Sequence, residues 1–198
     1  MFSTGIVLSF VALIAWGFGD FFIQRAVRAL GSWKALFYIG IVALVGLFPF
    51  VYRELSSITL GNIVLLSTLS LIVVFAALFD FEALRAGKIA IIEPVFGLEL
   101  PVTVALSVVL IHESFSASQF AAMVLVFVGI VLAITTRLHH LKIHRRLFEK
   151  GVILAGISAI SMALSNFLVG FASQQISPLV TIWFAHSVLG IISFLVLV

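Results

Sequence analysis

An ionisable side chain at the centre of a bilayer costs on the order of 3 kcal/mol or more, so each one within an apolar stretch calls for a reason. Glu99 is the sharpest case. It lies ten residues into an apolar run beginning at Ile89, and at 1.5 Å per residue that is ~15 Å, about the bilayer midplane. Gly97 and Pro101 flank it. Proline has no N–H to donate to the carbonyl four residues back, so the Gly97 carbonyl is expected to be free to meet a cation, water or a solute. Thr103 and Ser107 continue a polar stripe on roughly the same helical face. A binding point for a proton or solute is expected here, in preference to a carboxyl held only by a hydrogen bond to a neighbouring helix.

Other polar residues invite weaker versions of the same argument. Glu93 is four residues into the same run, near one surface, within reach of Lys88 or Arg85; ion pairing there competes with a role in binding. Asp20 shares a face with Ser9 and Trp16, and lining a cavity and pairing with Arg25 both stay open. Asn166, His186 and Trp183 are candidate solute contacts, although a lone histidine in a helix is as readily a packing residue. Ser158, Ser161 and Ser165 share a face on which small residues more often let helices approach. Glu113 is expected to favour the start of the helix after it. His139, His140 and His144 have metal-like spacing, but a solvated basic connector at a lipid surface accounts for them. No catalytic triad, HExxH or phosphate-cradling loop is present, so neither an enzyme nor a cofactor is expected.

The elements that must position these residues follow from composition. Apolar residues make up 63% of the chain and charged residues 10%, against about 25% charged in soluble domains. Only lipid can solvate so much apolar surface, so an all-α polytopic membrane bundle is expected. The net charge is +3, but its Lys and Arg residues are scattered through short connectors, which argues against nucleic acid. Cysteine is absent, which excludes disulfides and thiolate metal sites. Seven runs reach the roughly 20 residues that a spanning helix needs: Gly5–Gln24, Trp33–Tyr52, Leu60–Phe79, Ile89–Ile111, Ala117–Thr136, Gly151–Phe171 and Leu179–Val198. Ser116 with Gln119 has capping-box spacing, Ser177-Pro178 supplies an N-cap and an N1 proline, and Gly31 and Gly87 fall where helices can end. Most connectors read as six to nine residues. With the N-terminus outside, Arg25, Arg28, Lys34, Arg85, Lys88, Arg137, Lys142, Arg145, Arg146 and Lys150 face inward and Arg53 outward. That bias fixes the expected orientation in the cell membrane.

The chain also resembles itself. A shift of 146 residues sets Gly5 against Gly151, Leu8 against Leu154, Ile14 against Ile160, Asp20 against Asn166, Phe21 against Phe167 and Trp33 against Leu179. Five helices separate the two copies, so the second should be inverted in the membrane, as in many secondary transporters. Residues 1–136 then form one five-helix repeat, 137–150 a basic inner connector, and 151–198 the first two helices of a second repeat.

Trp16-Gly17, Ala83-Leu84-Arg85, Glu93-Pro94, Glu99-Leu100-Pro101, His112-Glu113-Ser114 and Gly129 together resemble the EamA family of drug/metabolite transporters. The resemblance covers residues 1–136 and about two fifths of a second repeat. It implies a ten-helix carrier of amino acids, other metabolites or drugs, built from two five-helix repeats. Family members usually carry Gly before the loop Glu, and His112 stands there instead. The function expected is secondary transport of a small organic solute, with protonation of Glu99 as the coupling event. Further helices or self-association are expected to complete the cavity. The rival readings are a non-transporting scaffold or an inactive fragment of such a carrier, and an intramembrane enzyme, for which no nucleophile–base pair is evident.

Overall fold

A computed structural model describes residues 4–112, 114, 116–140 and 150–198, with side chains given outside 133–140. Glu113 and most of the basic connector, His144 included, lie outside the described residues, as do the side chains of His139 and His140. The described chain is helical, in the order α1 (Thr4–Leu30), α2 (Ser32–Val51), α3 (Leu60–Ala86), α4 (Ile89–Phe96), α5 (Glu99–Ile111), α6 (Ala117–His140), α7 (Gly151–Ala172) and α8 (Pro178–Leu197), with a single 3-10 turn at Leu55–Ser57. Among the described residues, six segments are long and apolar enough to cross a bilayer, α4 and α5 together forming one of them. Along α6 the stretch Ala117–Leu132 is apolar as well. The protein is a multi-pass, all-α membrane bundle.

Several helices overrun the apolar stretches that predict them. α1 continues through Arg25 and Arg28 to Leu30, because Gln, Arg, Ala and Leu all favour a helix. It stops at Gly31, whose φ of 86° reverses the chain into α2 without a strained side chain. The expected connector of six to nine residues is therefore one residue long. α3 likewise runs past Phe79 to Ala86. At 27 residues each, both helices extend about 40 Å, beyond the ~30 Å hydrocarbon core.

Both expected helix starts are found, one with side-chain capping bonds and one without. The Ser116 N–H donates to Gln119 Oε1 at 2.8 Å, and the Gln119 N–H returns a bond to Ser116 Oγ at 3.3 Å. Ser177 makes no side-chain cap; its carbonyl accepts from Thr181 N–H instead, and Pro178 opens the helix.

Packing is densest where small residues let helices approach. α3 lies along α7, with Ala76 and Ala77 facing a stripe of Ala155, Ser158, Ala159 and Ala163. Ser158 Oγ donates to the Ala76 carbonyl at 3.5 Å. α2 lies along α8, where Gly40 faces Gly190. Two aromatic pairs flank that crossing: Phe37 with Phe194 at 5.8 Å and Phe48 with Trp183 at 6.2 Å. Trp183 stands 146 positions after Phe37, and Phe194 146 after Phe48. The two contacts are thus exchanged by the shift that relates the two parts of the sequence. Apolar side chains such as Phe10, Leu13, Val42, Leu71 and Leu125 remain on outer faces, as expected where lipid is the solvent.

Candidate functional site

The carboxyls at membrane depth are delivered by four different elements. α1 carries Asp20, α3 carries Asp80, α4 carries Glu93 and α5 begins at Glu99. Asp20, Glu93 and Glu99 each lie within electrostatic range of Asp80, and Asp20 is within range of both glutamates. Among the described residues, the ion pair formed is Glu82 with Arg85 at 2.8 Å. None of the four has a cationic partner there.

The run expected as one helix over Ile89–Ile111 is two. α4 ends at Phe96, and α5 restarts at Glu99 after Gly97 and Leu98. Pro94 inside α4 cannot donate to the Ala90 carbonyl and weakens the ladder there. Pro101 falls in the first turn of α5, where its missing N–H is no loss, so it fits a helix start better than a kink. Glu99 gains from standing at that helix start. The expectation that Pro101 frees the Gly97 carbonyl is corrected: that oxygen accepts from Leu100 N–H at 3.3 Å. What opens the backbone is the break itself, which packs on α6. A Cβ at Gly97 would stand 3.0 Å from Ile130 Cδ1.

Two ion pairs that the sequence left open do not form among the described residues. Glu93 does not reach Arg85 or Lys88: Arg85 is held by Glu82, and Glu93 Oε1 is buried with no hydrogen-bond partner. Asp20 does not pair with Arg25, whose guanidinium lies over the Phe21 ring at 5.2 Å. Thr103 reaches α7, its Oγ1 donating to the Glu99 carbonyl of its own helix at 2.8 Å and to the Ala163 carbonyl at 3.3 Å.

Other candidates are not brought to this cluster. Trp16 is 68% exposed. Asn166 is exposed on α7. His186 Nδ1 lies 2.9 Å from the Ile182 carbonyl of its own helix, the packing arrangement. Trp183 Nε1 donates to the Leu44 carbonyl across the α2–α8 contact. A notch lined by Trp33, Leu78, Phe79, Glu82 and Leu154 opens beside Glu82, apart from the four carboxyls. No grouping of His, Asp or Glu among the described residues has the geometry to hold a metal ion.

Asp80 is the residue that sequence reasoning missed. The third apolar run closes at Phe79, which left the acid just outside it. Good helix formers from Glu82 to Ala86 were the available sign that the helix continues.

The arrangement is one in which protons or a positively charged group can be exchanged among carboxylates in a low-dielectric site. Residues 3–135 match the EamA-like transporter family. An uncharacterized protein of Methanocaldococcus jannaschii is similar to the chain, 28% identical over 133 residues that cover 66% of this chain and 96% of that protein. No solved structure matches the chain.

Proposed function

The chain belongs to the EamA-like transporter family, and we propose that it moves a small organic solute across the cell membrane as a secondary carrier coupled to protons. The observation that carries this reading is the convergence of Asp20, Asp80, Glu93 and Glu99 from four elements around a helix break, with no cationic side chain paired to them among the described residues. Like charges so placed are held at membrane depth when protons or a cationic solute neutralise them. Glu99, at the mouth of the break, is the residue whose protonation couples to movement.

Two inverted repeats supply the machinery. The exchanged aromatic contacts across α2 and α8 support that reading, as does the counterpart relation of α1 and α7. Residues 1–136 are the first repeat and 151–198 belong to the second. α7 is covered by α3, α4 and α5, whereas α1 leaves most of its length open. The equivalent face of α1 is where further helices or a second copy complete the cavity. The end at which α1 and α3 terminate faces the cell interior, and the N-terminus lies outside, in keeping with the basic residues at that end.

Uptake and efflux of labelled amino acids, other metabolites and cationic drugs in proteoliposomes, with an imposed pH gradient, tests the reading. A solute that moves faster down the proton gradient is the expected result, with Glu99→Gln inserting normally but losing the pH dependence. A chain that inserts and moves none of these would favour a scaffold.

A further inference from the structure

The end of the bundle where α1 and α3 terminate is tied across helices by side chains that have no part in the carboxyl cluster. Gln24 stands one turn after Asp20 on the same face of α1 and is 8% exposed. Its Nε2 donates to the Leu84 carbonyl at 3.1 Å and to the Gly87 carbonyl at 3.2 Å. Arg28, one turn further, donates to the same Gly87 carbonyl. Both carbonyls lie at the end of α3, where intrahelical donors run out. α7 begins against the same turn: a Cβ on Gly151 would stand 3.1 Å from Gly87 Cα. α1, the α3–α4 turn and α7 therefore meet at one point, just beyond the carboxyls. At the opposite end the polar side chains bond locally. Ser56 and Ser57 donate to the carbonyls of Arg53 and Glu54, and Thr59 caps its own helix.

We propose that Gln24 is the latch of a gate at this end. With its two bonds made, α1 seals the carboxyl cluster from the adjoining aqueous phase; when α1 lifts from the α3–α4 turn, water and solute enter. The proposal rests on the transport reading. Glutamine suits a reversible latch, because one neutral amide spans two carbonyls and water can replace both bonds once the gate is open. Arg28 reinforces the latch from the surface, where its charge stays solvated.

The test uses the full chain, which is free of cysteine. Gly19→Cys provides a reporter beside Asp20, at a partly buried position with no atom within 4 Å of an added Cβ. Reaction with a membrane-impermeant maleimide is followed in vesicles of both orientations. Gln24→Leu keeps the side-chain bulk and removes both donors. It should speed labelling from the side of the α1 C-terminus by about tenfold or more, as expected for the loss of two hydrogen bonds, and Gln24→Glu should do the same. Unchanged rates in both variants, or acceleration from the opposite side alone, would overturn the latch. Should Gln24→Leu fail to insert, Arg28→Met decides in the same assay, with a smaller acceleration expected and no change counting against the proposal. The assay needs no solute. A gate that opens in vesicles across which nothing is transported would sink the transport reading and leave the latch standing.

Discussion

Gly40 and Gly190 meet backbone to backbone where α2 crosses α8, so that a Cβ on Gly40 would lie 2.3 Å from the Gly190 Cα and 2.6 Å from its nitrogen. No side chain is available to yield. Between helices in lipid, where apolar burial gives no net drive, such close approach supplies the packing that holds them together. It also brings Phe37 to Phe194 and Phe48 to Trp183, one pair on each side of the crossing.

Gly40→Ala should therefore force α2 and α8 apart, at a cost of about 1–3 kcal/mol, the usual range for overpacking. The measurement is the midpoint of thermal unfolding in detergent. Gly129→Ala is the control, because nothing lies within 4 Å of its Cβ position, and its midpoint should stay close to the parent's. Equal losses in the two variants would mean that the crossing is loose.

The α5 C-cap gives a second expectation. His112 stands at φ 53° and ψ 36°, the left-handed conformation, with its N–H on the Ser107 carbonyl. Histidine pays a steric penalty there that glycine avoids. His112→Gly should stabilise the protein by roughly 1 kcal/mol, read as a higher unfolding midpoint. A fall in the midpoint would show that the imidazole makes contacts worth more than the backbone relief.

His112 also shows how far the sequence could be read. Its departure from the family's usual glycine marked the loop in advance, and the left-handed cap is the reason glycine suits that position. Apolar run length was enough to find the spans, since lipid leaves the backbone little choice but a helix. Helix ends were harder, because Arg25 and Arg28 leave the apolar core while remaining good helix formers. That error hid Asp80 and the Gln24 contact together. The break at Gly97 was signalled by Pro94 and Pro101, but whether prolines kink one helix or start another depends on what packs alongside. Here α6 does so, through Ile130. Glu93 was left between ion pairing and binding for a similar reason: Arg85 and Lys88 are near it in sequence, but Glu82 is one helical turn from Arg85 and takes it.

Orientation is open to direct labelling. Glu54 and Lys88 are both exposed and lie at opposite ends of α3. As single cysteines in intact cells, Glu54→Cys should react with an impermeant maleimide and Lys88→Cys should react only after permeabilisation. The reverse pattern would turn the protein over and move the latch to the outer side.

Asp80 supplies the last expectation, because it lies within electrostatic range of each of the other three acids. A group that only packed would be replaceable by its amide with little effect beyond stability. A group that shares protons or a cation with three neighbours is different, since removing its charge alters what the others can hold. Asp80→Asn should insert normally and lower solute transport by about tenfold or more, a change of at least ~1.4 kcal/mol in the barrier. It should also shift the pH dependence. Glu82, two residues on, is the comparison: Ser32 Oγ donates to it at 2.7 Å and Arg85 pairs with it, so Glu82→Gln should change the unfolding midpoint more than transport. Because Asp80 and Glu99 belong to one set, Asp80→Asn combined with Glu99→Gln should lose less than the product of the single losses. Multiplicative losses, or an Asp80→Asn protein with the parent's rate and pH profile, would separate Asp80 from the site and leave three carboxyls to account for transport.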